Sequence, residues 1–315
     1  MKSKPILYIV IPCYNEQDCL PETTRLLDKK FSDLLEKNSI SSSSKIIYID
    51  DGSKDKTWKT ICSLGNNIIG LKLAHNRGHQ NALLAGLMYA KDHSDVTISM
   101  DADLQDDINV IDKMLLEYRN GSEIVYGVRN SRKKDSFFKR FTAQGFYKFM
   151  HLLGVDIVYN SADCRLMSKR ALNELERYNE VNLFLRGIVP LIGFRYSIVE
   201  YERGERFAGE SKYPLKKMLN FAWDGITSFS VKPLRIISVL GIVTLVASLL
   251  VMLYALIMKV TNNTVSGWTF VICSIWLVGG LQMISIGIIG EYIGKIYAET
   301  KKRPRYCIEE IVNEK

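Results

Sequence analysis

Two long apolar stretches near the C-terminus constrain this chain more than any other feature. Residues 238–258 and residues 269–290 contain no charged side chain. At about 1.5 Å per helical residue, each stretch is long enough to span the roughly 30 Å hydrocarbon core of a bilayer. A soluble domain rarely contains two such runs. The sequence therefore predicts a membrane protein in which a large polar head precedes a two-helix hairpin.

Basic residues flank the predicted hairpin on both of its outer sides. They lie within residues 212–235 and residues 301–305, whereas the connecting residues 259–268 carry a single charge, on Lys259. By the positive-inside rule, both ends of the hairpin face the cytoplasm. We expect no export signal, because residues 1–5 lead directly into a strand-like segment. The expected location is the cytoplasmic (inner) membrane, crossed twice, with the polar head and both termini in the cytosol.

The formal net charge of +8 does not by itself indicate a nucleic-acid partner. Several of the basic groups lie beside the apolar stretches, which fits an anionic membrane surface or a phosphorylated lipid head group. The six cysteines are scattered without a CxxC pair, which predicts reduced thiols and argues against a zinc site. We therefore expect a membrane partner and no nucleic acid.

The first half of the chain alternates between strand-like and helix-like segments. Short apolar runs occur at residues 6–12, 45–51, 69–74, 96–100 and 124–128. Helical spacing of apolar residues occurs at 19–35, 57–64, 80–91 and 108–118. This alternation predicts an α/β domain with a mainly parallel sheet that is covered by helices on both faces.

Beyond residue 130 the pattern is less regular. It predicts helices at residues 137–153, 166–178 and 182–192, and a strand at residues 196–203. Residues 215–231 are amphipathic, which suits either an interfacial helix next to the membrane or an ordinary packed helix.

Polar residues follow three of the predicted strands, at residues 14–16, 50–53 and 101–103. In open α/β sheets, ligands bind beyond the carboxyl ends of the strands. Asp101 and Asp103 come directly after a buried strand, and Mg²⁺ prefers one or two carboxylates together with substrate phosphates. His75 and His79 have the spacing of a ligand pair, but Gly78 between them indicates a turn, so we assign them no role. The sequence therefore predicts a metal–diphosphate site at this edge of the sheet.

Five motifs occur in order along the chain. They are IPCYNE at 11–16, DDGSKDKT at 50–57, MDADLQDD at 100–107, ADCRLMSKR at 162–170 and RFAGESKY at 206–213. Together they resemble the family 2 glycosyltransferases that load sugars onto polyprenyl phosphates. This family includes dolichol-phosphate mannose synthases and bacterial undecaprenyl-phosphate glycosyltransferases with a C-terminal membrane hairpin.

The resemblance covers nearly the whole chain and implies its domain organisation. Residues 1–212 would form a cytosolic catalytic domain with the GT-A fold, and residues 213–236 a juxtamembrane segment. Residues 237–292 would contain the two transmembrane helices, and residues 293–315 a cytosolic tail. Gly290 and Gly294 form a GxxxG match within the second helix. Because such glycines allow helices to approach closely, we expect a homo-oligomer, for example a tetramer.

The resemblance also implies the reaction. It is the inverting transfer of one sugar from a nucleotide sugar to undecaprenyl phosphate at the cytoplasmic face of the membrane, with Mg²⁺ or Mn²⁺ as cofactor. The product would be a lipid-linked sugar for glycosylation of a cell-surface polymer. The motifs do not specify the sugar, and UDP-glucose and UDP-N-acetylglucosamine are the leading donors.

Residue roles follow from the matched motif positions. Pro12, Tyr14, Glu16 and Asp51 match residues that hold the nucleotide, and Asp101 matches a residue that contacts the sugar nucleotide. Asp103 and Gln105 match metal ligands. Arg206 and Lys212 match residues that close over the donor diphosphate, and Arg129 and Arg140 match residues that grip the acceptor phosphate.

Asp163 matches a position near the reacting centre, which makes Asp101, Asp103 and Asp163 the expected catalytic residues. The attacking phosphate monoester has a second pKa near 6 and is largely ionised at neutral pH. Asp163 is therefore expected either to act as a base or to orient a group of the substrate.

Two other functions are alternatives to this transferase. A processive polysaccharide synthase would carry a Gln-x-x-Arg-Trp motif, and none of the four tryptophans follows an arginine. A non-catalytic, lipid-binding membrane scaffold on the same fold is the remaining alternative. It predicts that the acids of the site have been lost, whereas Asp51, Asp101, Asp103 and Asp163 are all present.

Overall fold

The structure is a computed structural model that describes residues 4–65, 67–129, 161–181, 183–202, 227, 230–261 and 267–313. The chain divides into two compact units. The first, here called the sheet domain, comprises Met1–Phe149, Asp156–Pro214 and Arg303–Lys315. The second comprises Met150–Val155 and Leu215–Lys302. The predicted helix at residues 137–153 and most of the amphipathic segment at 215–231 lie outside the described residues.

An eight-stranded sheet organises the sheet domain. Its strands are β1 (Leu7–Cys13), β2 (Lys45–Asp50), β3 (Ile68–Leu73), β4 (Val96–Ser99), β5 (Ile124–Arg129), β6 (Ser161–Ser168), β7 (Tyr196–Tyr201) and β8 (Ile308–Val312). Their order across the sheet is β7-β5-β6-β4-β1-β2-β3-β8. The β1–β2, β1–β4, β2–β3 and β5–β7 pairs are parallel. β6 is antiparallel to both of its neighbours, and β8 is antiparallel to β3.

Helices pack on both faces of this sheet. They are α1 (Leu20–Glu36), α2 (Thr57–Ser63), α3 (His79–His93), α4 (Val110–Arg119), α5 (Lys169–Glu176) and α6 (Leu185–Leu191). Side chains of α1 and α4 share a buried core with Ile9 and Ile11 of β1. Helix α3 packs against Val10, which points to the opposite face because side chains alternate along a strand. A Cβ atom at Gly86 of α3 would lie 2.5 Å from a methyl group of Val10, so this close approach requires glycine.

Two strands differ from the sequence expectation. The prediction of a helix at residues 166–178 is wrong for its first three residues, because β6 continues to Ser168 and α5 begins at Lys169. Leu166 pairs with Ile98 on one side and with Val125 on the other, so interstrand pairing outweighs the local helical spacing. Ser168 then caps α5 by accepting a hydrogen bond from the amide of Ala171 at 3.0 Å.

The second difference concerns residues 293–315, which were expected to form a tail. They contain the end of a long helix and then strand β8, which pairs with β3 at the edge of the sheet. Gly70 of β3 lies opposite Val312 of β8, and Lys72 forms an ion pair with Glu309 at 2.9 Å. No local pattern indicates this strand, because its pairing partner lies more than two hundred residues earlier in the sequence.

The second unit contains the long helices α7 (Lys232–Val260) and α8 (Trp268–Lys301). Lys232–Val251 and Leu277–Lys301 are long and apolar enough to cross a membrane, judged by length and composition. These helices include the two stretches that the sequence predicts as membrane spans. Gly290 and Gly294 have no described atom within 4 Å of where a Cβ would stand, so their side of α8 is open within the described part of the chain.

Candidate active site

Candidate polar residues from the motifs that the structure describes lie near one another at the end of the sheet where the parallel strands terminate, which we call the carboxyl edge. The carboxyl ends of β1, β2, β4, β5 and β7 meet at this edge. The start of β6 lies there too, because β6 runs in the opposite direction. Acids from separate parts of the sequence, Asp51, Asp101 and Asp163, therefore lie along the same edge.

The loops after β1 and β2 are joined by hydrogen bonds. The amide of Asn15 donates to the hydroxyl of Ser53 at 3.0 Å, and the amide of Lys54 donates to the side-chain oxygen of Asn15 at 2.9 Å. The amide of Glu16 donates to the hydroxyl of Thr57 at 2.9 Å. Asn15 has a φ of 55°, a left-handed conformation that asparagine tolerates better than most residues.

These bonds fix the backbone around three residues that were expected to hold the nucleotide. Pro12 is buried in β1, and Glu16 is half-buried. Tyr14 is 39% exposed, so part of its aromatic ring is free to contact a ligand. The arrangement presents one aromatic side chain at the end of β1 on a backbone that is held by the neighbouring loop.

Asp51 fixes the turn that leads into α3. Its two carboxylate oxygens accept hydrogen bonds from the amides of Arg77, at 2.7 Å, and Gly78, at 2.9 Å. Burial raises the pKa of Asp51, and these two amide donors oppose the rise. Since α3 begins at the next residue, His79, the carboxylate of Asp51 also determines where that imidazole stands.

The loop after β4 holds Asp103 and Gln105 close together. The amide of Gln105 donates to Oδ1 of Asp103 at 3.2 Å, and Asp103 is buried. Leu104 between them has a φ of 58°, which is unusual for a bulky side chain. Thr23 of α1 donates to the carbonyl of Ala102 at 2.9 Å and so ties the loop to the helix layer.

His79, Asp101 and Asp163 form a cluster that could hold a metal ion. Nε2 of His79 lies 3.4 Å from Oδ2 of Asp163 and 3.8 Å from Oδ1 of Asp101. One ligand atom from each residue lies within 4.8 Å of the others. Nε2 is buried and has no hydrogen-bond partner among the described residues. One imidazole and two carboxylates are a donor set that first-row divalent cations accept, so the residues fit the expected cofactor class.

From the sequence, His79 is predicted to have no role in the site, because Gly78 indicates a turn. The turn is present, since Gly78 has a φ of 85°, but α3 begins directly after it. The available signal was the position of His79 after β3, where a helix starts at the carboxyl edge of the sheet.

Arg186 of α6 is a second residue of the site that the sequence does not predict. Its Nε donates to Oδ1 of Asp163 at 2.9 Å, and its Nη2 donates to Oδ2 at 3.0 Å. The side-chain oxygen of Gln80, in α3, accepts a hydrogen bond from the amide of Leu185 at 3.1 Å, which fixes the start of α6. Nothing in the local sequence distinguishes Arg186 from a surface arginine on a helix.

The close charges shift the pKa values of the cluster in opposite directions. Burial raises the pKa of Asp101 to about 6, with His79 opposing the rise and Asp163 adding to it. Burial would also raise the pKa of Asp163, but Arg186 and His79 hold it well below its usual range. Burial disfavours the charged form of His79, yet the two carboxylates raise its pKa. Asp163 is therefore ionised at neutral pH.

Arg129 lies on the other side of Asp101. Its Nη2 is 3.9 Å from Oδ2 of Asp101 and donates to Oδ1 of Asp106 at 3.1 Å. Burial disfavours the charged form of Arg129, but Asp106 and Tyr201 hold its pKa above the usual range. Asp101 thus stands between His79 on one side and Arg129 on the other. Arg140, Arg206 and Lys212 lie outside the described residues, so their expected roles stay predictions.

Comparison with known proteins agrees with this fold. Residues 8–176 match the family model described as glycosyl transferase family 2. The chain belongs to glycosyltransferase family 2. Residues 232–296 match a second model, the GtrB C-terminal hairpin. Both matches confirm the resemblance that the five motifs indicated, and the mixed, mainly parallel sheet is that of a GT-A glycosyltransferase.

Relatives match this glycosyltransferase over nearly its whole length. The glycosyltransferase YkoT of Bacillus subtilis (strain 168) is 57% identical, over 98% of this chain and 92% of that protein. A prophage bactoprenol glucosyl transferase homolog of Escherichia coli (strain K12) is 37% identical, over 96% of this chain and 98% of that protein. With the GtrB hairpin, these matches establish a membrane-associated glycosyltransferase.

Among solved structures, the mannosyltransferase PcManGT from Pyrobaculum calidifontis, in complex with GDP-mannose and Mn²⁺, is similar to this chain. The identity is 13% and the TM-score is 0.43, over 96% of this chain and 87% of that chain.

Proposed function

We propose that this glycosyltransferase moves one sugar from a nucleotide sugar to undecaprenyl phosphate, with inversion at the anomeric carbon. One observation carries the proposal: Asp101 stands at the carboxyl edge of the sheet between His79 and Arg129. A donor diphosphate and an acceptor phosphate are both anions, and this arrangement offers an imidazole on one side and a guanidinium on the other side of one carboxylate. The GtrB hairpin and the name of the Escherichia coli relative support a lipid acceptor.

The donor side uses the loops after β1, β2 and β4. Pro12, Tyr14, Glu16 and Asp51 would hold the base and ribose, and Asp101 would contact the sugar nucleotide. A bound Mg²⁺ or Mn²⁺ would stabilise the negative charge that grows on the departing diphosphate. Asp103 and Gln105 would hold this ion, since carboxylate and amide oxygens are ligands that Mg²⁺ accepts and both residues lie in the loop after β4. Arg206 and Lys212 would add positive charge over the same diphosphate.

The acceptor side uses Arg129 and Arg140, whose planar guanidinium groups suit phosphate oxygens. The attacking oxygen belongs to a phosphate monoester that is already largely ionised at neutral pH, so it needs no strong base. Asp163 is held ionised by Arg186, and a carboxylate with a strongly lowered pKa is a weak base. We therefore assign Asp163 to orienting the sugar or the acceptor rather than to removing a proton.

The hairpin would tether the catalytic domain to the membrane that contains the lipid acceptor. We propose that α7 and α8 cross the cytoplasmic membrane and that the sheet domain and both termini lie in the cytosol. The bactoprenol glucosyl transferase homologue makes UDP-glucose the first donor to test, followed by UDP-N-acetylglucosamine. The product would then supply sugar for glycosylation of a cell-surface polymer.

The decisive experiment is sugar transfer by the purified full-length protein. Undecaprenyl phosphate is incubated with Mg²⁺ or Mn²⁺ and a panel of radiolabelled UDP- and GDP-sugars, and label in the organic phase is counted. We expect transfer from one donor, loss of transfer with EDTA, and loss in Asp103→Ala. Asp92→Ala is the matched control, since Asp92 is an exposed acid at the end of α3. No transfer from any donor by folded protein would favour the scaffold alternative.

A separate measurement distinguishes the two candidate metal sites. Electron paramagnetic resonance counts the Mn²⁺ bound to wild type, Asp103→Ala and His79→Ala. We expect Asp103→Ala to lose the ion and His79→Ala to keep it. The opposite result would place the ion in the His79, Asp101 and Asp163 cluster.

We also propose that the open glycine side of α8 mediates self-association. Mass photometry in detergent should give a homo-oligomer, such as a tetramer, that Gly290→Leu weakens. Gly241→Leu is the control, because Gly241 is an equally open glycine on α7. A monomer at all concentrations would contradict the proposal.

A further inference from the structure

Arg129 is held by two buried side chains that come from different elements. The β5–β7 register places Arg129 directly beside Tyr201, and Asp106 lies in the loop between β4 and α4. Nε of Arg129 donates to the hydroxyl of Tyr201 at 3.3 Å, and the hydroxyl of Tyr201 donates to Oδ1 of Asp106 at 2.5 Å. Nη2 of Arg129 donates to the same Oδ1 at 3.1 Å. The three side chains thus form a closed ring of hydrogen bonds.

The exposure of the three residues differs in a way that indicates their roles. The side chain of Asp106 is 1% exposed and Tyr201 is 4% exposed, whereas the side chain of Arg129 is 27% exposed. Two buried groups therefore hold one edge of a guanidinium whose remainder reaches the surface. Nη1 of Arg129 donates to no residue that the structure describes.

The fixed edge sets the direction of the free one. Because a guanidinium is planar, hydrogen bonds from both Nε and Nη2 fix the orientation of the whole group. Nη2 of Arg129 is 3.9 Å from Asp101. A phosphate bound to Arg129 would therefore lie close to Asp101, on the donor side of the site. Without Tyr201 and Asp106, Arg129 would keep its charge but could turn towards the acids of the edge.

We propose that Tyr201 and Asp106 are positioning residues that orient Arg129 towards the phosphate of the acceptor lipid. The inference rests on the proposed function, in which Arg129 binds that phosphate. Neither residue is expected to touch the substrate. Their effect should appear in the affinity for the acceptor and not in the affinity for the donor.

The test uses Tyr201→Phe in the full-length protein, because this change removes one hydroxyl and keeps the ring. Equilibrium binding of undecaprenyl phosphate in nanodiscs, without donor, should weaken by about tenfold, as expected for the loss of hydrogen bonds to a charged group. In steady-state transfer assays, KM for undecaprenyl phosphate should rise similarly while KM for the nucleotide sugar changes less than about twofold. Asp106→Asn should act in the same direction.

Tyr196→Phe is the matched control, since Tyr196 lies on the same strand and its ring contacts Tyr126 instead. It should change neither constant. Arg129→Lys keeps the charge that Asp106 requires but has no planar fork, and it should weaken lipid binding by itself. Adding Tyr201→Phe to Arg129→Lys should then cause little further loss, because no guanidinium remains to be oriented.

The outcomes separate the inference from the function on which it rests. If Arg129→Lys weakens lipid binding but Tyr201→Phe and Asp106→Asn do not, the positioning role is overturned and the acceptor role of Arg129 stands. If Tyr201→Phe raises KM for the donor alone, the pair serves the nucleotide side and the inference is wrong. If Arg129→Lys leaves lipid binding unchanged, the acceptor role of Arg129 and the positioning role both fail.

Discussion

Arg186 engages both oxygens of Asp163, at 2.9 and 3.0 Å, through two parallel hydrogen bonds. Such a bidentate pair fixes the plane of the carboxylate as well as its charge. Asp163 is mostly buried and also faces His79 at 3.4 Å. The geometry therefore favours an oriented, permanently ionised carboxylate over one that exchanges a proton in each turnover.

Removing the guanidinium should impair catalysis more than substrate binding. We expect Arg186→Gln to lower kcat by about 100-fold, because a displacement of about 1 Å at a reacting centre has effects of that size. Arg186→Lys should retain part of the activity, since it keeps the charge without the fork. Arg177→Ala is the control, because Arg177 is exposed and pairs only with Glu174 in the described residues. Unchanged kcat in folded Arg186→Gln would contradict the role.

The same variant changes the expected pH dependence. In the wild type, the pKa of Asp163 is held below its usual range, so loss of activity by its protonation should not be seen near neutral pH. Without Arg186 this pKa rises, and the acidic limb of the kcat profile should move to higher pH. The measurement is kcat from pH 5 to 8 for wild type and Arg186→Gln. Superimposable profiles would show that Asp163 does not need its charge.

Asp101 should destabilise the metal-free protein at neutral pH. Its pKa in the folded state is raised to about 6, above the value of an unfolded chain, so the folded state binds the proton more tightly. Stability therefore falls as the pH rises from about 4 to 6, by at most about 3 kcal/mol for a shift of this size. Asp101→Asn should raise the apparent Tm at pH 7.5 in EDTA and have little effect at pH 4.5. Asp92→Asn should do neither, and a lower Tm for Asp101→Asn at pH 7.5 would refute the argument.

Gly52 should tolerate no side chain. Its φ is 65°, and a Cβ atom there would lie 2.6 Å from the amide nitrogen of Asn76. The left-handed conformation alone costs a non-glycine residue about 1–2 kcal/mol, and the backbone contact adds to it. Gly52→Ala should lower Tm and also lower kcat, because the turn before His79 must move. Gly65→Ala is the control, since no atom of the described residues lies within 4 Å of its Cβ position.

Strand β8 should protect the edge of the sheet. Deleting residues 307–315 leaves the outer side of β3 without its partner, and unpaired edge strands promote aggregation. The truncated protein should show a lower Tm and aggregates in size-exclusion chromatography. Deleting only residues 313–315, which follow the strand, should change neither. If the protein without residues 307–315 has the same Tm as the full-length protein, β8 contributes nothing to the stability of the fold.

The sequence alone was sufficient for the features that depend on local composition. Apolar runs separated by helical spacing predicted β1 to β5 and α1 to α4, because period and hydrophobicity are properties of neighbouring residues. The uncharged stretches predicted the two long helices. The acids after the strands predicted that a site would form at the carboxyl ends of the parallel strands. The motifs indicated the family that comparison then confirmed.

Only the tertiary structure decided the features that depend on distant partners. Residues 166–168 have helical spacing but lie in β6, because β4 and β5 offer hydrogen bonds on both sides. β8 is a strand because β3 has an open edge. Arg186 and Tyr201 carry no local signal, and the motif that contains Asp106 does not indicate its partners, since these roles arise from the groups opposite each residue. Spacing along a chain determines which face a residue occupies, whereas the identity of the residue facing it is determined only when the sheet assembles.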